Sequence, residues 1–289
     1  MTRALSWFFS FVALGAVTLL VGVFVWQSLP VWHHEGWHYI TGTKWFFRQK
    51  EFGTLPMIYG TVIVALIALV LAAPLGFGAA IFTAEYLPRR VRLAVKVLIE
   101  LLAGVPSVVY GLLGILLLRD WIYNLFEKFE PLSGDTLLTA GVLLAVMILP
   151  TIVTLSDDAL RGVSSAQRRA ARGLGLTHAE TVLSIALPQA KRGLGAALLL
   201  ALGRALGETI AVFLVVGRQD NNLPEHVFSL RAWLDAGQTI TSKLGGSETN
   251  IAYGDHVHWG AMVGLALLLL IMTGTVTLLG TGFGKRSDA

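Results

Sequence analysis

Long apolar stretches alternate with polar intervals along the whole chain, and six of them run over residues 4–29, 58–84, 93–118, 137–155, 193–216 and 259–279. Each approaches or exceeds the roughly 20 residues that a helix needs to cross a hydrocarbon layer of about 30 Å. The pattern predicts an all-α membrane protein with six transmembrane helices in a single domain, 1–289. The first stretch follows Arg3, outruns the apolar core of a signal peptide and ends without a small-x-small cleavage site, which predicts an uncleaved first span. The second carries Pro74 and Gly76, tolerated in lipid when neighbouring groups re-satisfy the backbone. In the third, Pro106-Ser107 interrupts the helix near its middle and sets the hydroxyls of Ser107 and Tyr110 at bilayer depth, where they either cap freed carbonyls or line a path. Lys96, one turn before Glu100, reads as its interfacial partner. No fixed-period repeat and no linker to a second soluble domain is evident.

The fifth stretch holds the sharpest anomaly, Gly203-Arg204-Ala205-Leu206-Gly207-Glu208-Thr209 in an otherwise apolar run. Counted from Gly193, Arg204 lies about 16 Å along a helix, near the bilayer midplane where transporters place substrate sites. Arg204 and Glu208 are four apart and would share one helical face, with Gly203 and Gly207 forming a small-xxx-small packing seam beside them. Charge at that depth costs several kcal/mol unless it faces a partner or water. Two readings follow: a structural ion pair pinning helices together, or a fixed cation for a charged solute.

Arginine and lysine set the orientation. With the N-terminus cytoplasmic, the inner segments hold Arg3, Arg89, Arg90, Arg92, Lys96, Arg161, Arg168, Arg169, Arg172, Lys191, Arg192, Lys285 and Arg286, thirteen against eight in the outer loops. Both termini are therefore expected inside, with residues 159–188 in a cytoplasmic loop and 220–255 in an outer one. This asymmetry accounts for the net charge of +4, and no basic patch is interleaved with aromatics, so nucleic acid is set aside. A hydrophobic fraction of 55%, a charged fraction of 14% and a mean hydropathy of +0.69 exclude a soluble domain. Absence of cysteine excludes disulfides, thiolate metal sites and cysteine nucleophiles. His34 and His38 are one turn apart beside His33, but only Glu35 is near, so interfacial histidines are a simpler account than a metal site. No cofactor is indicated. A membrane-embedded enzyme would need convergent nucleophile, base or metal groups, and only Arg204, Glu208 and scattered hydroxyls are found.

The interval from 159 to 188 reads as a serine-capped, arginine- and alanine-rich helix, a glycine stop, a second short helix over 179–186 and a proline before the next span. Two short helices that bury little alone ask for a partner surface. Ala170-Ala171, Gly175, Ile185 and Leu187-Pro188 resemble the EAA loop of ABC-importer permeases, with Arg169 standing where that pattern has glutamate. Phe52-Gly53-Thr54-Leu55-Pro56, Ala73-Pro74-Leu75-Gly76, Ala103-Gly104-Val105-Pro106-Ser107 and Arg204-Ala205-Leu206-Gly207-Glu208-Thr209-Ile210-Ala211-Val212 resemble the phosphate-specific ABC permeases, the PstC type more than the PstA type because of the apolar continuation after Thr209.

The resemblance implies a type I ABC-importer permease fold in the cell inner membrane and a path for inorganic phosphate through Arg204, Glu208, Ser107 and Tyr110. It also implies a second permease subunit of the PstA type, two cytoplasmic ATPase subunits of the PstB type that dock on 159–188, and a phosphate-binding protein of the PstS type. A guanidinium serves other oxyanions equally well, so molybdate or sulfate stays open, as does the PstA-type role. No G-x-x-x-x-G-K-[ST] occurs, which assigns ATP hydrolysis to partners.

Overall fold

A computed structural model of the chain describes residues 2–285. Arg286 and the side chain of Lys285, used above for orientation, lie outside the described residues. Among the described residues six helical segments are long and apolar enough to cross a membrane: Leu5–Glu35, Leu55–Tyr86, Ser107–Leu125, Leu137–Arg161, His178–Gly207 and His256–Gly284.

The third segment departs from the pattern. Its apolar run is two helices, Arg89–Ala103 and Ser107–Leu113, because Pro106 has no N–H and its ring holds the preceding residue out of helical geometry. The first of these turns its basic side toward the fourth span, where Lys96 Nζ meets Asp158 Oδ1 at 3.3 Å. Lys96 thus pairs across to another helix and not with Glu100. Leu93, Val97, Leu98, Leu101 and Leu102 stay exposed on the opposite side.

The fifth segment departs twice. Helical backbone runs unbroken from His178 to Gly207, so the proline at 188 does not separate a docking helix from the span. A π-helical turn over Val182–Ala186 inserts an extra residue just before Leu187-Pro188 and so absorbs the missing N–H. The helix then stops at Gly207 and resumes as Ile210–Val215, inside the range where the pattern predicts one continuous span.

Packing centres on the second and fourth spans, with the fifth wedged between the fourth and sixth and the first resting on the sixth. Close approach of the central pair is set by small residues: a Cβ at Gly76 would lie 2.6 Å from Ile152 Cγ2, and one at Gly141 would lie 2.5 Å from Ile67 Cγ2. The resulting apolar core joins Ile67, Leu144, Ile148 and Ile152 to Ala201, Leu206 and Val215. Trp7, Phe11 and Leu14 of the first span stand fully outward, as expected for a lipid-facing helix.

The end expected to face outward is closed by a cap that apolar periodicity does not reveal. Two-residue strands, Trp45–Phe46 and Glu51–Phe52, pair antiparallel. Beside them the ammonium of Lys243, 3% exposed, bridges Glu248 and Asp220. Glu248 also accepts from Trp45 Nε1 at 2.6 Å and approaches His258 Nε2 at 2.9 Å. Satisfying every member in this way is what allows such a charge to be buried. Asp255 accepts from the N–H groups of Val257 and His258, capping the sixth span, and pairs with Lys50 at 3.0 Å. The outer loop is pinned to the second span where Ile240 N donates to Thr61 Oγ1 at 2.9 Å.

Burial pushes the Glu248 carboxyl up, but the hydrogen bond and charge of Lys243, with Trp45 and His258, outweigh it and hold it below the ordinary value. The Lys50 hydrogen bond, with the two capping N–H groups, holds Asp255 down to about 2. Both carboxyls are depressed, so each stabilises the fold above its unfolded pKa of about 4 and loses that contribution as pH falls through its folded value. Asp255 is 39% exposed and screened, which leaves Glu248 the larger contributor. Protection factors of the cap amides, corrected for the intrinsic pH dependence of exchange, should therefore be flat from about pH 8 to 5 and fall between about 4.5 and 2. A fall confined to the histidine range would contradict this account. Separately, a Cβ at Gly60 would run into the main-chain carbonyl of Gln238, whereas Gly78 has open space around it. Gly60→Ala should cost about 1–3 kcal/mol of stability in detergent, seen as a lower thermal midpoint, and Gly78→Ala should cost nothing.

Candidate functional site

Arg204 occupies the last turn of the helix that ends at Gly207. Beyond it, Glu208 is extended at φ −71° and ψ 125°, and Thr209 leads into the short helix Ile210–Val215. Gly207 favours this stop because glycine has little helical preference and no side chain to pack. At membrane depth an irregular link of this kind is tolerated only where protein or a watery cavity borders it.

The link changes the chemistry expected of the pair. Glu208 no longer stands one helical turn from Arg204, and no ion pair joins the two among the described residues. Instead Arg204 Nη1 donates to Thr151 Oγ1 at 2.9 Å. Thr151 sits on the fourth span just after Pro150, a partner with no charge signal in the sequence. Arg204, Gly207 and Ile210 are exposed, while Gly203, Ala205 and Leu206 are buried. The guanidinium therefore lies on a face that no element of this chain covers, with one of its five N–H donors held by Thr151.

The two glycines of the proposed seam separate. A Cβ at Gly203 would lie 2.6 Å from Thr277 Oγ1, so Gly203 seats the fifth span on the sixth. Gly207 has nothing within 4 Å and packs on nothing in this chain.

Of the two hydroxyls in the third span, Tyr110 Oη donates to Leu102 O at 2.9 Å across the Gly104–Pro106 break. It caps a freed carbonyl, the first of the two roles left open for it. Ser107 is half-buried at the first turn of the helix that follows. That helix holds the segment after the fifth-span link, with Gly111 closing on Ala211 and Leu214.

In the interval expected to be cytoplasmic, the first short helix is Ser165–Gly173. Ser164 stands at its N-cap but makes no side-chain cap bond, whereas Thr177 and Glu180 form a full capping box at the second. Arg169 and Ala170 are exposed, Arg169 reaching Ser165 Oγ at 3.2 Å, and Ala171 is buried. Gly175 has φ +94°, a left-handed conformation that side chains resist, and Leu174 beside it is 83% exposed. Ile185 and Leu187 are half-buried, and Pro188 is exposed at the π turn. The inward face belongs to a residue the motif does not single out: Arg168 forms an ion pair with Glu85 at the end of the second span.

The family described as the binding-protein-dependent transport system inner membrane component matches residues 72–288. A phosphate transport system permease protein PstC of Mesorhizobium japonicum is 33% identical, over 96% of this chain and 86% of that protein. The one of Haemophilus influenzae is 33% identical, over 96% and 89%. Among solved structures, the MetNI methionine ABC transporter in inward-facing conformations shares the fold at a TM-score of 0.56 and 16% identity, covering 79% of this chain and 93% of that one. With a family match across most of its length and relatives so similar from end to end, the chain belongs to the inner-membrane components of binding-protein-dependent transport systems, a multi-pass transport subunit and not an enzyme.

Proposed function

We propose that this chain forms half of the path of an ATP-driven importer of inorganic phosphate, with both termini cytoplasmic. The PstC names of its relatives support the substrate. The observation that carries the reading is Arg204, a guanidinium at membrane depth on an uncovered face beside a break in its helix. In the assembled importer that face meets a second permease subunit, of the PstA type, and the two halves enclose a route of low dielectric. There a charge-assisted hydrogen bond to an oxyanion is strong. Thr151 holds the guanidinium in place while its remaining donors turn to the anion. Glu208 lies on the extended link, and winding that link into helix restores the one-turn spacing and returns the carboxylate to Arg204. This exchange of anion for carboxylate keeps the site from trapping its cargo.

ATP hydrolysis falls to two PstB-type partners docked on residues 159–188 through Arg169, Ala170, Leu174 and the turn at Gly175. A PstS-type binding protein delivers phosphate to the outer cap.

Arg204→Ala should reduce ATP-dependent phosphate uptake in vesicles to background while the complex still purifies intact, and Arg204→Lys should recover only part of it. Normal flux through Arg204→Ala ends the proposal, and molybdate and sulfate as competitors decide the oxyanion. Gly175→Leu, strained at its positive φ, should release the ATPase subunits in a pull-down while leaving this chain in the membrane.

A further inference from the structure

The docking loop has a second face, turned toward the spans. The second span ends in a π-helical turn, Phe82–Tyr86, which carries the Glu85 carboxylate beneath the first docking helix. Arg168 Nη1 donates to both Glu85 oxygens, and its Nη2 donates to the carbonyl of Leu160 at 2.6 Å, in the last turn of the fourth span. The side chains are 16% and 4% exposed. A single guanidinium thus ties the first docking helix to the ends of two spans. The second docking helix reaches the same residue, since His178 Nε2 lies 3.0 Å from Glu85 O and His178 Nδ1 lies 2.9 Å from Arg172 Nη2. A guanidinium can only donate, so Nδ1 is the acceptor and Nε2 carries the proton offered to Glu85. Tyr86 meets the same imidazole edge-on at 5.0 Å.

Both docking helices therefore converge on Glu85, while Arg169, Ala170 and Leu174 point away from it into the open. We propose that the Glu85–Arg168 pair is the joint through which movement of the docking loop is passed to the second span. Arg168 is in this sense a positioning residue. The inference rests on the transport reading above. A joint differs from a docking contact, because losing it should leave the partner ATPases bound and hydrolysing. It differs from a merely structural pair, because it governs the yield of transport per ATP and not the amount of folded complex.

The test uses the full complex in proteoliposomes, with radiolabelled inorganic phosphate and ATP hydrolysis measured together. Arg168→Gln and Glu85→Gln should retain the ATPase subunits and hydrolyse ATP, yet move about tenfold less phosphate per ATP. Arg168→Lys, which keeps the charge, should recover much of the ratio, and so should the swap combining Glu85→Arg with Arg168→Glu. Should the neutral variants not fold, the ratio is read from Glu85→Asp, which keeps the charge but shortens its reach and should lower the ratio part of the way. An unchanged ratio in Arg168→Gln and Glu85→Gln, or in Glu85→Asp where those do not fold, overturns the joint, as does loss of the ATPase subunits from a folded Arg168→Gln, which would make Arg168 a docking contact. No phosphate movement by the unmodified complex would instead refute the transport reading.

Discussion

A charge or an open backbone group within hydrocarbon must be answered by protein or by water, and this constraint organises the whole chain. Where the third span breaks, Tyr110 supplies the answer by donating to Leu102 O. At Arg204 the chain stops short of a full answer, with a neutral hydroxyl for a cation and no cover on the exposed side. The incompleteness is local, for the surrounding spans are closely packed.

The two ends of the molecule handle charge differently. At the outer end Lys243 is enclosed with Asp220 and Glu248, and Trp45 and His258 take the remaining acceptor sites, so the cap is rigid and self-sufficient. At the opposite end the buried pair connects separate elements, the short helix Ser165–Gly173 with the ends of the second and fourth spans.

Much of this was legible in the residues. Six spans, the short helix ahead of Gly175 and the glycine stop that ends it follow from periodicity and spacing. What escaped depends on contacts between distant segments. One-turn pairing of Arg204 with Glu208 assumes an unbroken helix, and the segment beyond the break is seated instead by Gly111, which closes on Ala211 and Leu214. Arg168 and Arg169 are neighbours of equal charge, and only Glu85, 83 residues away, distinguishes the inward one. The strands of the outer hairpin are two residues each, too short to register as an alternating pattern. Proline at 188 reads as a stop, yet a single inserted residue let the helix continue.

That continuity has a mechanical meaning. From His178 to Arg204 the chain forms one rod, roughly 40 Å long at 1.5 Å per residue, with no loop to act as a hinge along it. Such a rod acts as a lever: a tilt of about 5° about its His178 end sweeps the guanidinium sideways by roughly 3 Å. That throw is as long as the bond from Arg204 to Thr151, so a barely visible lean at the membrane surface is enough to unlatch the arginine.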